Sequence, residues 1–126
     1  MFIRTFNYES NCVRYRDCYF DIGEYRNKKM SLDIYGYVED DKNISHISNL
    51  TANVSERLAE NQIVIDTDKN SNIISFLLDL GIVKAITKRV AVEKESKMVL
   101  LPVAEIDLEI LKEYSYDKEE ELEYAS

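Results

Sequence analysis

Asp66, Asp68 and Asn70 fall at the spacing D-x-D-x-N. That pattern opens a calcium loop, because alternate residues of a tight loop can aim oxygens at one cation. It stops there: Ser71 stands where the loop needs glycine, and Leu77 where it needs a bidentate glutamate. The same residues suit a strand-to-helix turn, with Asn70 or Ser71 capping the helix that follows. His46 is the single histidine, so zinc sites and nucleophile triads lack their usual groups; a strand histidine with a satisfied side chain is expected. Cys12 and Cys18 are too far apart for a C-x-x-C redox pair. In one extended strand they would share a face about 20 Å apart, so free, partly buried thiols are expected. Three scattered glycines cannot build a phosphate loop. Carboxylates are abundant, but paired-acid catalysis needs two of them about 5 to 9 Å apart in a cleft. No catalytic residue, metal site or cofactor is expected, and the chain reads as a non-enzyme.

The nine tyrosines are more informative. Tyr15, Tyr19, Tyr25, Tyr35 and Tyr37 lie in the first third of the chain, interleaved with Arg14, Arg16, Arg26, Lys28 and Lys29. Tyr35 and Tyr37 alternate with Leu32 and Ile34, which sends them to the opposite face of a strand. Tyrosine and arginine combine contact area with polar ends and are enriched in protein interfaces. Tyr35 and Tyr37 are therefore candidate partner-binding residues, set against a second packed face covered by a helix.

Charge supplies a second candidate surface. The net charge is −8 over 126 residues, yet residues 1–30 carry a net of +2 and residues 105–126 a net of −7. Glu113, Asp117, Glu119, Glu120 and Glu121 head that acidic end and are candidate partner-binding residues. A negative surface repels nucleic acid and membranes and attracts basic protein surfaces, including those that hold a phosphate backbone. The expected partner is a protein with a basic surface, without direct nucleic-acid or membrane binding. A homodimer formed by edge strands is a further expectation.

The elements that position these groups follow from periodicity. Val13, Tyr15, Tyr19 and Ile22 fit one long strand from about residue 12 to 22. Met30 to Val38 alternates with a period of two, Glu39–Asn43 is a polar turn, and Asn49–Val54 reads as a third strand with Leu50, Ala52 and Val54 on one face. Ile63-Val64-Ile65 suits a short buried strand. A helix runs through Leu80 to a C′ glycine at Gly81. Ile82–Val92 and Lys97–Leu101 are strands joined by a Glu93–Ser96 turn, Pro102 stops the second, and Glu105–Tyr114 is a helix. The fold class is α+β: one domain over residues 1–116 with an antiparallel sheet of about five to six strands and two helices packed on it. Residues 117–126 are expected to form an acidic, mobile tail. No run approaches the roughly 20 apolar residues of a membrane span, and Met1–Asn7 lacks the apolar core of a signal peptide. The expected compartment is the cytoplasm.

Leu50-Thr51-Ala52-Asn53-Val54, Ile63-Val64-Ile65-Asp66-Thr67 with Ser71–Gly81, and the run from Leu101 to Leu111 carry a family resemblance. Together they resemble a domain of unknown function found in small proteins of bacterial conjugative elements and plasmids. Where that family often has a glycine- and serine-rich turn before the last strand, this chain has Ala91–Lys97. The resemblance transfers no catalytic residue and implies a mobile-element accessory protein. In that setting, a small acidic domain is expected to inhibit a host defence nucleoprotein, as an anti-CRISPR protein does. It would occupy the basic nucleic-acid-binding surface of a Cas nuclease or its guide-RNA complex. The alternative is an adaptor of a conjugation or plasmid system that binds through the Tyr/Arg-rich strand face.

Overall fold

A computed structural model describes residues 3–116. Phe6–Ser10 (β1) turns back through Asn11 and Cys12 into Val13–Glu24 (β2), followed by Met30–Val38 (β3) and Ile44–Asn49 (β4). These four strands are antiparallel neighbours in that order. Gln62–Val64 (β5) then leads through Ile73–Asp79 (α1) to a long hairpin, Val83–Lys94 (β6) and Lys97–Ile106 (β7). The second sheet has the order β5-β7-β6. Leu108–Glu113 (α2) returns the chain to the first sheet, where Ser115–Tyr116 (β8) pairs parallel with β2 beside Phe20 and Asp21.

The α+β class holds, with eight strands in two sheets where one sheet of five to six was expected. The two sheets are stitched together by Leu50–Ala52. Leu50 N–H donates to Leu32 O at 2.7 Å, Ala52 N–H to Val64 O at 3.0 Å, and Asp66 N–H to Leu50 O at 2.9 Å. Thr51 sits in the middle of this stitch, bridged to Ile65. Its hydroxyl lies 2.8 Å from the Tyr25 phenol and accepts from Leu32 N–H at 3.3 Å. This corrects the expected strand over Asn49–Val54. The regular strand ends at Asn49, and Leu50 and Thr51 are both buried instead of alternating.

The main core collects Cys18, Phe20, Leu32 and Ile34 from the inner face of the first sheet with Ile73, Leu77, Ile82 and Leu111. Each large side chain removed from water here contributes about 1.5–3 kcal/mol. A smaller cluster holds Val64, Val90, Leu101 and Val103. β5 feeds both, with Ile63 in one and Val64 in the other, which is why the run Ile63-Val64-Ile65 is continuously apolar.

Several element ends differ from the sequence reading. α1 begins later than expected, after Asn72 at φ 65° with no side-chain cap. Neither Ser71 nor Asn70 caps it. The Asn70 amide instead donates to Asn49 O and Asp66 O, both at 3.0 Å, a tertiary use that overrides the local one. Gly81 adopts φ 81°, as a helix C′ glycine does. The hairpin turn narrows to Glu95-Ser96, both at positive φ, so the flanking strands run further. Pro102 does not stop β7. Ile65 N–H donates to its carbonyl at 3.0 Å; only the reciprocal bond is missing, where β5 has already ended. α2 is shorter than expected, because the Asp107 carboxylate accepts from Glu109 and Ile110 N–H and fixes its start. The outer strand β6 is irregular at two points in its pairing and displays Lys84, Lys88 and Arg89, features that discourage strand addition at an edge.

Candidate functional site

The outer face of the first sheet carries the candidate site. Its framework is a register of cross-strand neighbours. One row runs Tyr116, Asp21, Asp33, Asn49; the next Tyr19, Tyr35, His46; the third Arg16, Tyr37, Ile44. Tyr19 reaches this face through a bulge. Asp17 adopts φ 50°, and Asp17 and Cys18 together stand opposite Gly36 where the register slips between Arg16 and Tyr19. The extra residue reverses side-chain parity: Cys18 and Phe20 turn inward, and Tyr19 and Asp21 outward.

The side chains on these rows are mutually organised. The Tyr19 and Tyr35 rings stack with centroids 6.0 Å apart and planes 16° apart. Tyr116 lies 6.2 Å from Tyr19, and His46 meets Tyr35 edge-on at 5.1 Å. Asp33 Oδ1 is held by His46 Nε2 at 3.0 Å and by the Asn49 amide at 3.1 Å. The Arg16 guanidinium rests 4.8 Å from the Tyr37 ring centre. It is anchored by the Asp17 carboxylate at 2.8 Å and Asp41 O at 2.7 Å. The Asp21 carboxylate has no hydrogen-bond or ion-pair partner among the described residues. Burial raises the Tyr19 phenol pKa, and the neighbouring Tyr37, Asp21 and Tyr35 charges add to it.

Tyr35 and Tyr37 thus share the face expected of them. Both helices put their buried residues into the core on the opposite side, so no helix covers the tyrosines among the described residues. Glu113 lies elsewhere, at the end of α2, paired with Arg4 at 3.2 Å with both side chains more than half exposed. Arg4 also lies 4.6 Å from the Tyr114 ring centre. Asp117, Glu119, Glu120 and Glu121 lie outside the described residues. Sequence reasoning singled out Tyr19 and Arg16 in the Tyr/Arg-rich stretch without assigning them to this face, and it missed Asp21, His46 and Tyr116 as site residues. The readable signal for Tyr19 was the pair Cys18 and Phe20, a competing inward register that only a bulge reconciles with Tyr15.

The D-x-D-x-N run serves a different purpose. Both Asp66 oxygens accept from Lys94 Nζ, at 2.8 and 2.7 Å, and Asp68 lies 3.6 Å from the same ammonium. Asn70 turns to the backbone of the stitch. Cys18 is buried and Cys12 exposed in the turn before β2, so they do not share one strand face. Among the described residues no three His, Cys, Asp or Glu side chains converge as a metal site would require. No helix there is long and apolar enough to cross a membrane.

Comparison with protein-family models, with curated proteins and with solved structures finds no match.

Proposed function

We propose that this chain is a non-enzymatic, cytoplasmic binding protein that docks a basic protein surface against the tyrosine face of its first sheet. The observation that carries the reading is the Tyr19–Tyr35–His46 row with Asp21 and Asp33 beside it, on a face that neither helix covers. Half-buried, pre-stacked rings lose little freedom when a partner covers them, which is what an anchor residue needs. The carboxylates alongside favour a basic partner. Asp117, Glu119, Glu120 and Glu121 add negative charge next in sequence to Tyr116.

Within this reading, the family resemblance favours inhibition of a host defence nucleoprotein, with a Cas nuclease or its guide-RNA complex as the partner. The alternative is an adaptor of a conjugation or plasmid system that uses the same face. The test is capture of purified Cas9, with and without guide RNA, and of nuclease-treated host lysate on the immobilised full chain. Wild type is compared with a Tyr19→Ser/Tyr35→Ser variant. A partner held by wild type and released by the variant supports the reading. Equal retention on both removes the tyrosine face as the interface, and no Cas9 binding at low salt removes the Cas reading.

A further inference from the structure

We infer that Tyr19, Tyr35 and Asp21 form a seat for an arginine side chain of the partner protein, a step that rests on the tyrosine face being the interface. The face already shows how it holds a guanidinium. Arg16 lies on the Tyr37 ring and bonds the Asp17 carboxylate and Asp41 O, so a ring and a carboxylate, with one backbone carbonyl, together receive one arginine. The neighbouring rows repeat that pairing with no cation among the described residues. Tyr19 and Tyr35 offer stacked rings, Tyr116 flanks them, and Asp21 is the carboxylate.

The pair Asp21 and Asp33 favours a cation as the occupant of this seat. They stand directly opposite each other across β2 and β3, an arrangement of like charges that is destabilising in a sheet. Asp33 is occupied by His46 and Asn49, whereas the Asp21 carboxylate has no partner among the described residues. A cation placed over Tyr19 and Tyr35 would meet Asp21 and offset that repulsion. Arginine fits better than lysine, because its planar guanidinium stacks on an aromatic ring while its edge donates to a carboxylate. An ammonium is more strongly hydrated and has no flat face to stack.

The test uses the full chain with ring-labelled tyrosines, titrated by NMR with acetyl-hexaarginine amide and with acetyl-hexalysine amide. These probes carry equal charge. Hexaarginine should shift the Tyr19 and Tyr35 ring signals and bind about three- to tenfold more tightly than hexalysine. Asp21→Asn should abolish that preference, while Glu60→Gln, which removes an equal charge from an exposed loop position, should keep it. Asp21→Asn relieves a repulsion, and circular dichroism checks that it folds. Equal affinities with no dependence on Asp21 would overturn the arginine seat. If both peptides still shift Tyr19, Tyr35 and Tyr37, the face stands as an interface for basic partners and only the arginine seat falls. If neither peptide shifts these rings, both readings fall.

Discussion

The sulfur of Cys18 occupies the space that any side chain at Gly36 would need. A Cβ built at Gly36 would lie 2.5 Å from Cys18 Sγ and 3.1 Å from Ile47 Cδ1. The glycine is thus what lets the bulge at Asp17 and Cys18 turn the thiol inward. Gly36→Ala should destabilise the protein by about 1–3 kcal/mol through overpacking. Cys18→Ala in the same chain should recover at least about 0.5 kcal/mol of that loss, since residues in contact couple on that scale. Urea unfolding of both single variants and the double variant measures the coupling; strict additivity would refute the contact.

Asp21→Asn should raise stability. It removes one of two like charges standing opposite each other in the sheet, worth about 0.2–1 kcal/mol. Thermal unfolding at low salt reads the gain, and it should shrink as salt is added. A loss of stability would show that Asp21 has a partner within the fold.

Lys94→Met should cost about 1–3 kcal/mol, because it leaves the Asp66 carboxylate without its counter-ion. Asp66 is only 9% exposed at its side chain, while Lys94 remains 27% exposed. That places the pair between a surface bridge and a fully buried one. Denaturant midpoints give the number, and Asp68→Asn should have the smaller effect, as its contact is longer.

Stability should fall in alkaline solution. Burial pushes the Cys18 thiol up to about 11 from its ordinary 9.0. Burial likewise raises Tyr8 and Tyr19, and the Asp66 hydrogen bond raises Lys94. In each case the folded state binds the proton more tightly than the unfolded chain does. The Cys18 contribution is therefore fully present below about pH 9 and is lost as pH rises through about 11. Urea midpoints at pH 8 and pH 10.5 should differ accordingly. Cys18→Ala should flatten that slope without abolishing it.

Cys12→Gly should stabilise by about 1 kcal/mol. Asn11 and Cys12 have φ of 50° and 65°, as a two-residue hairpin turn requires, and a cysteine there bears a steric cost that glycine does not. The side chain is exposed, so nothing packed is lost. A melting temperature at or below wild type would contradict this.

The parts of the fold that were legible in sequence share a simple cause. Met30–Val38 alternates without interruption, and its faces are as the pattern dictates. Ile63-Val64-Ile65 is apolar on both sides because both sides are buried. The misreadings arise where one residue breaks a period or serves a distant contact. Tyr19 shares its sequence parity with Val13 and Tyr15, and only the Asp17 bulge reverses that parity after Arg16. Asn70 reads as a helix cap in sequence and instead ties Asn49 to Asp66. β1 was hidden because its turn uses Asn11-Cys12 without glycine. Of the site, Tyr35 and Tyr37 were readable from one strand alone; Asp21, His46 and Tyr116 join them only through pairing among four strands.

The Leu50–Ala52 stitch makes the two sheets a single hydrogen-bonded fabric, so neither can peel away while the other stays intact. Unfolding should follow one cooperative transition, with no half-folded species at intermediate denaturant. The amide protons of Leu50, Ala52 and Asp66 should then exchange with solvent only when the whole chain opens, as slowly as those of Phe20 in the core. The seam between the sheets would be among the last places for water to enter.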